Sequence, residues 1–284
     1  MAAATPHGEM AFRGVGKVFG SGERARVVLD GCSFVVSRGK LNVLIGPSGC
    51  GKTTIVNLLA GYEDVTRGEV RLDDEPVHGP SWTRLVVFQE TALFPWMTVL
   101  DNVTFGPTVR GMLPRRAARD EALRLLEKVG LKDFAHRYPV QLSGGMQRRA
   151  ELARAMINEP RVMLMDEPFR GLDAITRQLM QEYVLRLFDE SGRTSLFVTS
   201  ELEEAIFLAD RLIILTNRPT RVKKIMDVDL PRPRSYQVLA SPRYLALKEE
   251  ALEALHEEAL QAFAAGTTGA HDLVEAYRRR ALGG

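Results

Sequence analysis

Glycines, hydroxyls and one cation crowd into nine residues, Gly46-Pro47-Ser48-Gly49-Cys50-Gly51-Lys52-Thr53-Thr54. They fill the pattern G-x-x-x-x-G-K-[ST], in which glycines let the backbone curl so that successive N–H groups face one anion. Ile55, Leu58 and Leu59 after the turn have helical spacing, and the start of that helix would add the positive end of its dipole. Lys52 would supply a mobile charge for β- and γ-phosphates, and the Thr53 hydroxyl could ligate Mg²⁺. Val162-Met163-Leu164-Met165 ends in two carboxylates, Asp166 and Glu167. On a buried strand these would emerge at the carboxyl edge of a sheet, where ligands bind. There Asp166 could hold Mg²⁺ and Glu167 could polarise an attacking water. A second anion site is suggested by Leu142-Ser143-Gly144-Gly145-Met146-Gln147, where Ser143 is a natural N-cap and the two glycines expose backbone N–H groups. Two phosphate sites for one nucleotide suggest sharing between two subunits.

The elements that must position these residues alternate strand and helix. Apolar runs at residues 10–19, 27–29, 32–36, 68–72, 85–88, 162–165, 195–199 and 212–215 read as strands, as does the run leading into Gly46. Residues 176–188 and 202–208 read as helices. The run 162–165 is expected to neighbour the phosphate-loop strand directly. This alternation implies a mainly parallel α/β sheet covered on both faces. Between Gln89 and Val162 the period turns helical, and the stretch is too long for a connection. A helical subdomain over about 93–158 is therefore expected within a nucleotide-binding domain at 10–230. Residues 231–284 read as a linker (Pro231-Arg232-Pro233-Arg234) and a helical extension. Its stripe of Leu245, Leu252, Leu255, Ala259 and Phe263 should pack on the chain's own body. Met1–Gly8 reads as a loose leader, and Arg278-Arg279-Arg280 as a solvated end.

Bulk composition narrows the function classes. A formal net charge of +2 gives no electrostatic case for nucleic acid as main partner. The two cysteines, Cys32 and Cys50, make a structural disulfide an unfavoured expectation and a reducing compartment the favoured one. No basic-then-apolar leader opens the chain, and no run of 18 apolar residues crosses a bilayer. The five histidines are scattered without metal-ligand spacing.

The order of phosphate loop, Gln89, LSGGMQ, Asp166-Glu167 and Leu172-Asp173 resembles the ATPase subunit of ATP-binding cassette transporters, from about Met10 to Val228. The resemblance implies a P-loop NTPase-type sheet, an antiparallel β subdomain and the inserted helical subdomain. It implies ATP and Mg²⁺ as cofactors, Phe19 stacking on adenine, and Thr53, Asp166 and Gln89 around the metal. Gln89 would also touch the attacking water. Ser143, Gly144 and Gly145 would reach a partner's γ-phosphate, with Asp173 crossing the dimer interface. The run Val87–Trp96 and the stretch Leu202–Arg211 are similar to ATPases of the nitrate, sulfonate and taurine importer group. By that similarity Phe94, Pro95 and Trp96 would line a groove for a membrane subunit. The implied partners are a second cassette, identical or different, transmembrane permease subunits and, through them, a solute-binding protein. The chain would then sit on the cytoplasmic face of the membrane.

One position departs from the family. Where it usually carries a histidine that bonds the γ-phosphate, this chain has Ser200, in Phe197-Val198-Thr199-Ser200-Glu201. A hydroxyl can donate to phosphate oxygen but is shorter and carries no charge. Ser200 is thus a candidate catalytic residue beside Glu167 and Gln89. Two other readings stay open: a regulatory, weakly hydrolytic cassette that switches by binding ATP, and a soluble cassette ATPase of repair or translation.

Overall fold

The computed structural model describes residues 8–266, without the side chains of Ala259 and of residues 261–266. In chain order the elements are β1 (Met10–Phe19), β2 (Arg26–Val36), β3 (Leu41–Ile45), α1 (Lys52–Ala60), β4 (Arg67–Leu72), β5 (Glu75–Pro76) and β6 (Arg84–Val87). There follow α2 (Val99–Val109), α3 (Arg115–Lys128), α4 (Gly144–Met156), β7 (Val162–Asp166) and α5 (Ala174–Ser191). The chain then runs through β8 (Thr194–Thr199), α6 (Leu202–Leu208), β9 (Arg211–Leu215), β10 (Val222–Asp227) and α7 (Pro242–Gly266).

The main sheet has the order β10-β9-β3-β8-β7-β6, parallel except for β10. Strands β3, β7 and β8 are buried along their whole length, as uninterrupted apolar runs require when helices cover both faces. Their side chains alternate between two cores. Leu41, Val43, Ile45, Met163, Met165 and Phe197 face α5, α6 and α7. Leu44, Leu164, Leu196 and Val198 face α1 and the smaller antiparallel sheet, ordered β2-β1-β4-β5. Helices α2, α3 and α4 close a third core of their own around Val103, Leu126 and Ala150.

Several expectations change. Strand β7 does not neighbour β3, because β8 lies between them, pairing Ile45 with Thr199 and Asp166 with Val198. Residues 26–36 form one strand rather than two. The Asp30-Gly31 step is held by Asp30 N–H on Thr220 O (3.1 Å) and by an ion pair to Arg67 (2.8 Å). Strand β10 is an addition, an exposed edge with weak apolar alternation. Residues 1–7 of the expected leader lie outside the described residues, yet Gly8 is buried and bonds Arg161 O at 3.2 Å. Nor is 231–234 a free tether. Arg234 is buried and donates to Phe207 O (2.9 Å) and Ala209 O (2.7 Å), while Arg232 reaches Asp189 and Asp210. Helix α7 packs on the body with Leu255 inward as expected, but the rest of its inward stripe is Tyr244, Leu247 and Ala251. Leu245 and Leu252 are exposed, Ala259 and Phe263 lie outside the described side chains, and Arg278–Arg280 outside the described residues.

Candidate nucleotide site

Sheet topology delivers the chemically active side chains to one edge. Strand β3 ends at Ile45 and the phosphate loop follows, its backbone shaped by close approaches. A Cβ on Gly51 would meet Val28 Cγ1 at 2.8 Å, and its φ of +112° suits no L side chain. A Cβ on Gly46 would meet Leu215 Cβ at 2.9 Å. The loop is braced from behind by Thr220, whose hydroxyl donates to Cys50 O and whose N–H donates to Val28 O. Cys50 points into this core and burial pushes its thiol up, so only its backbone can face a ligand. Pro47 is half-buried, and Ser48, Gly49 and Thr53 are exposed along the loop, with Thr54 half-buried behind them. Lys52 is buried, and its Nζ donates to Gly46 O (3.0 Å) and Pro47 O (3.3 Å).

Across the edge, Lys52 Nζ lies 3.5 Å from Glu167 Oε1. Glu167 follows β7, with its N–H on Val198 O (2.9 Å) and a φ of +43°, a left-handed conformation that a non-glycine residue adopts only when its surroundings hold it there. Because β8 intervenes between β3 and β7, Ser200 falls beside this carboxylate and its Oγ donates to Glu167 Oε1 at 2.7 Å. A hydroxyl has one proton, so in this arrangement Ser200 serves the carboxylate and not a phosphate. Asp166 is buried. Burial raises its carboxyl above the ordinary range, offset in part by the Thr53 hydroxyl bonded to it. Its Oδ1 has no protein partner. A buried, unsatisfied carboxylate oxygen with a hydroxyl alongside fits an oxygen-loving divalent cation such as Mg²⁺.

The other expected residues are distributed as follows. Phe19 ends β1, half-exposed, with Lys17 Nζ 4.8 Å from its ring centroid. Ser143 caps α4 by accepting from Met146 N (3.3 Å), and Asp173 caps α5 by accepting from Thr176 N (2.9 Å). That hydrogen bond holds the Asp173 carboxyl below its ordinary range. Ser143 and Gly145 line an open cavity of about 470 Å³ against α5, whereas Ser48, Glu167 and Ser200 line another of about 250 Å³. The structure therefore does not bring the signature glycines into the chain's own phosphate cavity. Both caps are exposed, as are the apolar Ile175 and Leu179 beside Asp173.

Gln89 is held by residues that spacing did not reveal. Buried Arg148, on the signature helix, donates to Phe88 O (2.6 Å), Gln89 O (2.5 Å) and Glu151 Oε2 (2.5 Å), and Glu151 Oε1 accepts from Ala92 N (3.1 Å). Burial pushes the Glu151 carboxyl up and the Arg148 guanidinium down, each offset by the other's charge. Arg148→Ala is expected to destabilise the chain by about 3–5 kcal/mol, because buried Glu151 would lose its close partner and keep only Arg154, 4.0 Å away. The midpoint of urea unfolding, read against the parent, checks this. Arg148→Met with Glu151→Leu should lose much less.

The groove residues split. Phe94 lines a cavity of about 350 Å³ with Tyr62, Val87, Phe105 and Arg154. Trp96, 69% exposed, stacks on Phe94 at 5.6 Å and lines the next groove with Phe105 and Arg119. Pro95 is exposed.

Residues 29–170 match the family described as ABC transporter. The chain is 42% identical to an uncharacterized ABC transporter ATP-binding protein of Methanocaldococcus jannaschii, over 85% of this chain and 88% of that one. It is 43% identical to the taurine import ATP-binding protein TauB of Chromobacterium violaceum (81% and 89% covered). Identity to the nitrate import ATP-binding protein NrtD of Synechococcus elongatus is 38% (90% and 94% covered). Among solved structures it resembles a dimeric ATP-binding cassette in a post-hydrolysis state with ADP and Pi, at TM-score 0.67 and 28% identity, over 78% of this chain and all of that one. Among the described residues no helix is long and apolar enough to cross a membrane. The phosphate loop, the carboxylate edge and these likenesses converge: the chain belongs to the ABC transporter family, as one of its ATP-hydrolysing cassettes.

Proposed function

We propose that this chain, bound to membrane subunits and paired with a second cassette, hydrolyses ATP to drive uptake of a small anion of the nitrate, sulfonate or taurine kind. The observation that carries the hydrolytic part is the convergence of Lys52, Glu167 and Ser200 at one sheet edge. Backbone N–H groups of residues 46–54 and Lys52 bind the phosphates, with Phe19 stacking on the base. Thr53 and Asp166 would hold Mg²⁺, which supplies positive charge to the phosphate oxygens; Gln89, expected there too, has its amide oxygen on Arg170 and would meet the attacking water through its amide N–H. Glu167 accepts a proton from water as its oxygen attacks the γ-phosphorus and the bond to the β-phosphate oxygen breaks, releasing ADP and phosphate. Ser200 orients Glu167 through its hydrogen bond. Ser143, Gly144 and Gly145 face outward to close on the partner cassette's nucleotide, with Asp173 alongside. The partly apolar Phe94–Phe105 groove receives the membrane subunit, which would place the chain at the cytoplasmic face. The solute class rests on the taurine and nitrate import relatives.

Vesicles carrying this chain with its membrane subunits and solute receptor test the proposal. With ATP and Mg²⁺ on the cassette side and labelled taurine or nitrate on the receptor side, the label should cross to the cassette side only while ATP lasts. Turnover without movement of any nitrate, sulfonate or taurine would overturn the solute class and leave the hydrolytic reading standing.

A further inference from the structure

The site holds a cation that the sequence pattern does not announce. Arg170 lies in the turn after Glu167, formed by Arg170 N–H on Glu167 O (3.1 Å). That turn folds its side chain back over the carboxylate, Nη1 lying 3.5 Å from Glu167 Oε2. With the Gln89 amide turned to present its oxygen, that oxygen accepts from Arg170 Nη1 at 3.0 Å and Nε at 3.2 Å. Arg170 lines the same cavity as Ser48, Glu167 and Ser200. An ion pair at this separation, on a side chain 65% exposed, contributes little to stability, so folding alone does not explain the arrangement. Its geometry does. A guanidinium is a planar fork that can hold two acceptors at once at a fixed spacing, which an ammonium cannot.

We propose that Arg170 is a positioning residue for hydrolysis: it ties Gln89 and Glu167 to one guanidinium and so sets the distance between the two groups that must share the attacking water. The need is sharpened by Ser200. Its hydroxyl and the Lys52 ammonium both lie on Oε1 of Glu167, at 2.7 and 3.5 Å, so the other oxygen, Oε2, takes its orientation from Arg170. The inference rests on the proposed roles of Glu167 and Gln89, which the same experiment tests separately.

The experiment is single-turnover hydrolysis of Mg²⁺-ATP by the full-length chain, with ATP affinity measured alongside by calorimetry in EDTA. Arg170→Ala should lower the hydrolytic rate by about 10²-fold, the scale of losing one preorganised donor, with ATP affinity within about three-fold of the parent. Millimolar guanidinium should restore part of the rate to Arg170→Ala and none to Glu167→Gln. Arg170→Lys should remain well below the parent, because a point charge cannot span both acceptors. In a Glu167→Gln background, Arg170→Ala should cost little more, since the residue acts through that carboxylate. A parent-like rate for Arg170→Ala, or a loss that guanidinium does not relieve, overturns the assignment. If Glu167→Gln hydrolyses at the parent rate, the reading of the whole edge fails with it. If Glu167→Gln is slow and Arg170→Ala is not, only the role of Arg170 is lost.

Discussion

Glu167→Gln is expected to slow ATP hydrolysis by about 10²–10⁴-fold while leaving ATP binding intact, the range that a positioned general base contributes. The amide keeps the shape of the side chain and can still meet Ser200 and Lys52, but it cannot take up a proton. Glu167 sits at φ +43° with its N–H tied to β8, so its side chain is placed by backbone geometry that the substitution does not touch. With hydrolysis blocked, unspent ATP should hold two cassettes together, each signature at Ser143 closing on the other's nucleotide. Light scattering with and without ATP reads that step. A variant that hydrolyses at the parent rate removes Glu167 from the chemistry.

Lys52→Ala should act on the other quantity. Its ammonium is buried against Gly46 O and Pro47 O, within reach of Glu167. Removing one member of a buried, hydrogen-bonded charge pair costs about 2–5 kcal/mol, here the pair that Lys52 makes with the β- and γ-phosphates. At about 1.4 kcal/mol per ten-fold, ATP affinity should fall by about thirty-fold to a few thousand-fold. Calorimetry measures it directly, and unchanged affinity would show that the loop binds phosphate by its backbone alone.

What could be read from the sequence was local. The phosphate loop is a strand, a turn and a helix start, all within residues 41–60, and each step has its own residue signal. The cap at Ser143 is equally local, since a cap hydrogen bond spans three residues. Strand order is not local. Both β7 and β8 are apolar runs, and nothing in either says which lies against β3, so the closeness of Ser200 to Glu167 was invisible. Arg148 and Arg170 were missed for the same reason: each has a carboxylate three residues away, but what gives it a role is a contact with the Gln89 loop that only the fold supplies, 59 and 60 residues away for Arg148. Periodicity found α7 and Leu255 on its inward face but took Leu245 for Leu247, because leucine fills both positions and only docking selects between them.

The Arg148–Glu151 clamp makes one moving part out of what would otherwise be two. The helix that opens with Ser143 holds the loop at Phe88, Gln89 and Ala92 by four hydrogen bonds from or to buried or half-buried side chains, including Arg154 Nη1 on Ala92 O (2.9 Å). A displacement of the Gln89 loop would therefore carry the signature helix with it, and a displacement of the helix would carry Gln89. Such a linkage behaves like a crank, with travel at one end fixed by travel at the other. In the proposed transporter, cutting it would leave both ends able to bind yet free to slip, so that ATP would be spent without moving solute.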